Sequence, residues 1–141
     1  MTGGWWRSVV GAVGVIVAAV SPGRATATLT CDIDSREATF HVMAAVGHEA
    51  LTLSGVRGAL RLPQERIDVD LDGEQLLQTW VEGEDLRLRF HIFGEGGRPD
   101  IDLMIVTRRK GEIAYAGRYR LTIGEGTGAR HRRGTIGCAV G

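Results

Sequence analysis

From Thr28 to Gly141 the chain alternates apolar and polar residues with a period of two, the repeat of a strand with one buried and one wet face. Thr28 to Asp34 and Ala38 to Val46 form a first pair. In the second of these, Phe40, Val42, Ala44 and Val46 face one side and Thr39, His41 and Met43 the other; Ser35-Arg36-Glu37 is of hairpin length. Between Leu51 and Leu62 the apolar parity changes, from Leu51 and Leu53 to Val56, Leu60 and Leu62. A change of parity across Ser54-Gly55 predicts a β-bulge.

Past Pro63, Ile67, Val69 and Leu71 are expected inside and Asp68, Asp70 and Asp72 outside. Leu86, Leu88, Phe90 and Ile92 then alternate with Arg87, Arg89 and His91. Ile101 to Thr107 is apolar on both faces, as in a central strand, and in Tyr115 to Ile123 the inward Tyr115, Tyr119, Leu121 and Ile123 are interleaved with Arg118 and Arg120. A last strand is expected from about Gly134 to Val140. Gln75 to Val81 fits both a strand and a helical turn and a half through Leu76, Leu77 and Trp80. The fold class is therefore all-β: one small antiparallel β-sandwich or closed β-barrel of eight or nine strands.

The N-terminal segment breaks this pattern. Arg7 is followed by an uncharged run to Val20, a Ser21-Pro22-Gly23 breaker and Ala25-Thr26-Ala27, the order of a cleavable secretory signal. The run from Val9 to Val20 would span about 18 Å as a helix, against about 30 Å of hydrocarbon core. Residues 1–27 are thus expected to be a signal peptide and residues 28–141 one all-β domain, periplasmic or secreted, with no transmembrane span in the mature chain. Thr28-Leu29-Thr30 before Cys31 does not suit lipoprotein processing, and with no Asn in the chain there is no N-glycosylation sequon.

Export changes how the two cysteines read. An even count in a small exported domain predicts a disulfide, here Cys31–Cys138, with both thiols on inward-facing positions. There is no C-x-x-C, and two cysteines supply half a zinc site. Arg7 and Arg24 precede residue 28, which leaves 15 basic against 17 acidic residues in the remainder, a balance that calls for no nucleic acid.

Catalytic and metal chemistry finds little support. Asp68-Val69-Asp70-Leu71-Asp72-Gly73 resembles the opening of a calcium loop, D-x-D-x-D-G, but the twelfth position, which needs a bidentate acid, is Thr79. The string reads as a solvated acidic strand face. His41, His48, His91 and His131 have no ligand spacing, and Ser35 and Ser54 sit in no nucleophile elbow. No metal and no cofactor is expected. A carboxyl pair brought from distant strands would leave no local motif, so a carbohydrate-active enzyme remains an alternative.

The positive signal is in the loops. Simple alternation of strand direction places Gly94 to Asp100 and Gly124 to Arg133 at one end, bringing Arg98, Arg130, His131, Arg132 and Arg133 to one rim. Guanidinium forks there suit carboxylate, phosphate or sulfate. Trp80 reads as core or platform packing. The leading expectation is a non-enzymatic exported β-domain that contacts an anionic ligand or a protein partner, such as an envelope component, through these loops. The string Gly126-Thr127-Gly128-Ala129-Arg130, with the Cys pair, resembles small periplasmic lysozyme inhibitors of the eight-stranded barrel type. In that family the Gly-Ala-Arg loop lies well before the last strand, whereas here it directly precedes it. The resemblance implies a secreted inhibitor of a hydrolase such as lysozyme as a further alternative.

Overall fold

The computed structural model describes residues 27–47 and 52–141; the expected signal segment before Ala27, and His48 and Leu51, lie outside them. Nine strands follow one another: β1 (Ala27–Asp34), β2 (Thr39–Val46), β3 (Leu53–Leu62), β4 (Ile67–Asp72), β5 (Leu76–Glu82), β6 (Asp85–Ile92), β7 (Ile101–Arg109), β8 (Ala114–Ile123) and β9 (Arg130–Val140). All pairings are antiparallel. They form one sheet in the order β4-β3-β2-β1-β9-β8-β7-β6-β5, curled into a nearly closed barrel rather than a two-sheet sandwich.

The chain thus winds as two meanders joined at β1 and β9. The two edges of the sheet, β4 and β5, are consecutive in the chain and linked by Gly73–Gln75. The His91 amide donates to the Gln75 carbonyl at 2.8 Å, which ties this link to β6.

The expected inward residues fill the barrel, from Leu29, Cys31 and Ile33 on β1 to Ile136 and Cys138 on β9. Phe40 and Phe90, from opposite halves of the sheet, meet edge to face with centroids 5.5 Å apart. Cys31 and Cys138 are register partners on adjacent strands and form the disulfide. The expected bulge is present. Met43 pairs with Arg57 and Ala45 with Ser54, so Gly55 and Val56 stand opposite Ala44 alone, with Gly55 at φ +59°. A second tight point is Gly117 on β8. A Cβ there would collide with the Val106 carbonyl and come within 2.6 Å of the Thr107 Cα on β7, so only glycine permits this close approach.

One open alternative is decided and one expectation corrected. Of Gln75 to Val81, Gln75 belongs to the turn and the residues from Leu76 on are strand: β5 carries an irregularity between Leu76 and Gln78 that leaves Leu77 and Gln78 both outward, which is why its apolar spacing also fits a helical turn. β9 begins at Arg130, four residues before the expected start, because Arg130 to Arg133 continue the ladder with β8 through Ile123, Thr122, Leu121 and Arg120.

Candidate functional site: an arginine-lined groove on the outer face

The two glycine-rich loops do lie together, the Gly124 amide donating to the Asp100 carbonyl at 2.8 Å. The basic residues assigned to them do not act as one rim. Once Arg130 to Arg133 are in a strand, period-two geometry sends them alternately to opposite faces. Arg130 and Arg132 share the parity of Ile136 and Cys138, and both reach Glu65 in the 3-10 turn after β3, Arg130 at 3.4 Å and Arg132 more closely. Arg132 also donates to the Glu37 carbonyl at 2.7 Å and to Gln64 Oε1 at 2.9 Å. It bridges the place where β1 and β9 part, since their register ends at Asp32 and Gly137. His131 turns outward, its Nδ1 3.2 Å from Thr122 Oγ1. Arg98 folds back on its own loop, donating to the Phe93 carbonyl at 3.1 Å.

Of the expected rim, only Arg133 joins a larger site. On the outer face of β5 to β9, Gln78, Trp80, Arg87, Arg89, Met104, Val106, Arg118, Arg120 and Arg133 line a half-open groove of about 620 Å³. Register builds it in two cross-strand rows. One runs Trp80, Arg87, Val106, Arg118; the other runs Gln78, Arg89, Met104, Arg120, Arg133. Arginine columns on β6 and β8 therefore flank an apolar column on β7, about 5 Å away on each side at ordinary strand spacing.

The arginines are held in different ways. Asp102 accepts from Arg89 Nε at 3.0 Å and from Nη2 at 2.7 Å, and this hydrogen bonding, reinforced by the carboxylate's charge, raises the affinity of Arg89 for its proton above the usual arginine range. The Arg87 guanidinium stacks on Trp80 at 4.2 Å from the ring centroid. Arg118, Arg120 and Arg133 are exposed, and among the described residues none has a carboxylate within ion-pair distance. Arg120 stands directly opposite Arg133, a like-charge cross-strand pair that costs stability. Trp80, expected as packing, is 43% exposed at the groove's β5 end, and Val106 is 42% exposed on its floor.

Among the described residues the lining, which also includes Leu88 and Tyr119, holds no carboxyl, histidine, serine or cysteine side chain, and its five guanidinium groups have the donor geometry that suits an oxyanion. A smaller recess lies at the seam between β4 and the end of β6, lined by Asp68, Asp70, Glu74, His91, Phe93, Glu95 and Arg98 among others. His91 sits there with Nε2 3.6 Å from Asp100 and Nδ1 3.4 Å from Asp102, and it meets Phe93 edge to face. Asp68 faces Arg61 at 3.4 Å, and Asp72 accepts the Glu74 amide at 2.8 Å as a turn residue. Among the described residues no group of three or more His, Cys, Asp or Glu side chains is placed to hold a metal ion. The chain matches no protein-family model, no curated protein and no solved structure in comparisons with each.

The groove could have been found in the sequence only as outward arginines on three separate strands. Nothing local in Arg87-Leu88-Arg89, Arg118-Tyr119-Arg120 and Arg133 says that the strands carrying them are neighbours.

Proposed function

We propose that this protein is an exported binding domain that takes an anionic ligand in the groove lined by Arg87, Arg89, Arg118, Arg120 and Arg133. The carrying observation is the set Arg118, Arg120 and Arg133, which has no carboxylate partner among the described residues, with Arg120 opposed in register to Arg133. Guanidinium groups packed side by side without counter-charge repel one another, and an incoming carboxylate, phosphate or sulfate relieves that repulsion while filling the forks. Loops were the expected contact surface; the rigid strand face now carries the proposal, which favours a preorganised site.

Export is part of the same reading. It is supported by the signal-like N-terminal pattern and by the Cys31–Cys138 disulfide. Among the described residues no helix is long and apolar enough to cross a membrane. Processing near Thr28 would leave β1 (Ala27–Asp34) almost whole, and mass spectrometry of the exported chain should find an N-terminus there.

The test is calorimetric titration with a sulfated polysaccharide at low ionic strength, comparing wild type with R118E/R120E/R133E. Binding should weaken at least about tenfold in the variant and fall steeply with added salt. Equal binding by a folded variant would remove the proposal.

A further inference from the structure

We infer that the ligand of this groove is an anionic amphiphile: a phosphate-type oxyanion held by Arg118, Arg120 and Arg133, with an apolar body lying on Met104 and Val106. The inference rests on the anion-binding reading of the same groove and specifies it.

Two features separate this occupant from a uniformly charged polymer. The first is the composition of the groove floor. β7 is flanked by β6 and β8, and its outward residues there are Met104 and Val106, the latter 42% exposed although apolar; Arg87 and Arg118 flank Val106 in register, and Arg89 and Arg120 flank Met104 in the next row. A β-branched side chain in the middle of a basic face does nothing for anion binding and leaves its own surface wet. It gains only when an apolar group covers it. The three-methylene stems of Arg87, Arg89, Arg118 and Arg120 extend this apolar strip on both sides and keep their charged heads at the rim.

The second feature is the uneven freedom of the arginines. On the β6 side Arg89 is occupied by Asp102 and Arg87 is laid on Trp80, so that side forms a fixed wall. On the β8 and β9 side Arg118, Arg120 and Arg133 have no carboxylate partner among the described residues, and Arg120 and Arg133 are adjacent across the strand pair. One oxyanion between them can accept from two or three forks at once. The groove is therefore polarised across the strands, with an anion clamp at one side, an apolar strip beside it and an aromatic end wall at Trp80. That is the outline of a head group with a tail.

The experiment uses the full chain and three probes in calorimetry: inorganic phosphate, monomeric dodecyl phosphate below its micelle concentration, and vesicles containing a phosphate-headed lipid. Dodecyl phosphate should bind at least about tenfold tighter than inorganic phosphate, a gain that covering two methylenes already supplies. M104Q/V106T, which keeps side-chain volume on an outward face, should lose most of that gain; R120Q/R133Q should weaken binding of both phosphate and dodecyl phosphate. Tighter binding of the monomer with no binding to the vesicles identifies a free amphiphile as the source, and tighter binding of the monomer together with binding to the vesicles identifies a membrane head group. Equal affinities for phosphate and dodecyl phosphate, or a gain that survives in M104Q/V106T, overturn the inference. If only a sulfated polysaccharide binds, and does so through the arginines, the amphiphile falls and the anion groove stands; if no anion binds, both fall.

Discussion

Removing the Glu65 carboxylate tests how the barrel is closed at the end where β1 and β9 separate. The Glu65 side chain is 2% exposed and its partner Arg132 11%, and Arg130 lies 3.4 Å away on the same strand. Replacing Glu65 by Ala leaves the Arg132 guanidinium nearly buried, with the Glu37 carbonyl and Gln64 Oε1 as its remaining acceptors among the described residues. Breaking a buried pair from one side costs about 3 to 5 kcal/mol. Because those two neutral acceptors remain, the lower figure, about 3 kcal/mol, is the expectation for Glu65→Ala. At roughly 4 °C per kcal/mol for a domain of this size, the melting temperature should drop by about 12 °C. Urea denaturation should show a lower midpoint at unchanged slope.

The control is E65L/R132M. Among the described residues Glu65 Oε2 has no hydrogen-bond partner, so removing both charges also removes a poorly satisfied buried oxygen, and the double variant should be more stable than the Glu65→Ala single. A cost below about 1 kcal/mol for Glu65→Ala, or losses that simply add across the Glu65, Arg132 and double variants, would refute the claim that this pair closes the barrel end.

Three other outcomes are expected. The disulfide joins residues 107 apart in sequence, so C31A/C138A should lose on the order of 4 to 5 kcal/mol in the chain-entropy model, read as a fall in melting temperature that dithiothreitol reproduces in the wild type. Asp85 accepts from Arg108 Nε at 2.9 Å, which, with the charges of Arg108 and Arg87, holds its carboxyl below the ordinary range despite an opposing desolvation effect. Its contribution to stability is therefore present above the unfolded-state value, near pH ~3.9, and is lost as pH falls through the lower folded-state value; Asp85→Asn should flatten the acid side of the melting-temperature profile, more so at low salt. Gly117→Ala should destabilise by more than about 1 kcal/mol in urea titrations, whereas Gly137→Ala, where a Cβ meets nothing within 4 Å, should be nearly neutral.

Much of this architecture could be read from local pattern, and the exceptions have identifiable causes. The inward set of β2, β4, β6 and β8 follows from alternation alone, since a sheet with one buried face admits a single parity. The Gly55 bulge showed because it shifts that parity within one strand. The irregularity at Leu77 disguised β5, because two successive outward residues on so short a strand imitate a helical repeat. The start of β9 is not marked in the sequence because Arg130 to Arg133 has no apolar residue to signal a buried face: the members that share the core parity, Arg130 and Arg132, are arginines that reach Glu65. Trp80, which looked like packing, is displaced outward by the same shift in β5.

By itself the sequence determined the sheet-only class, the inside and outside of most strands, one bulge and the cysteine pair, all consequences of a period-two repeat acting over a few residues. Tertiary structure alone decided that β1 and β9 lie side by side, that β4 and β5 are the edges, and that arginines from β6, β8 and β9 converge on Met104 and Val106. The physical reason is that alternation fixes only which face a side chain takes. Which strands become neighbours, and in what register, depends on contacts between residues far apart in the chain, and the groove consists of such contacts.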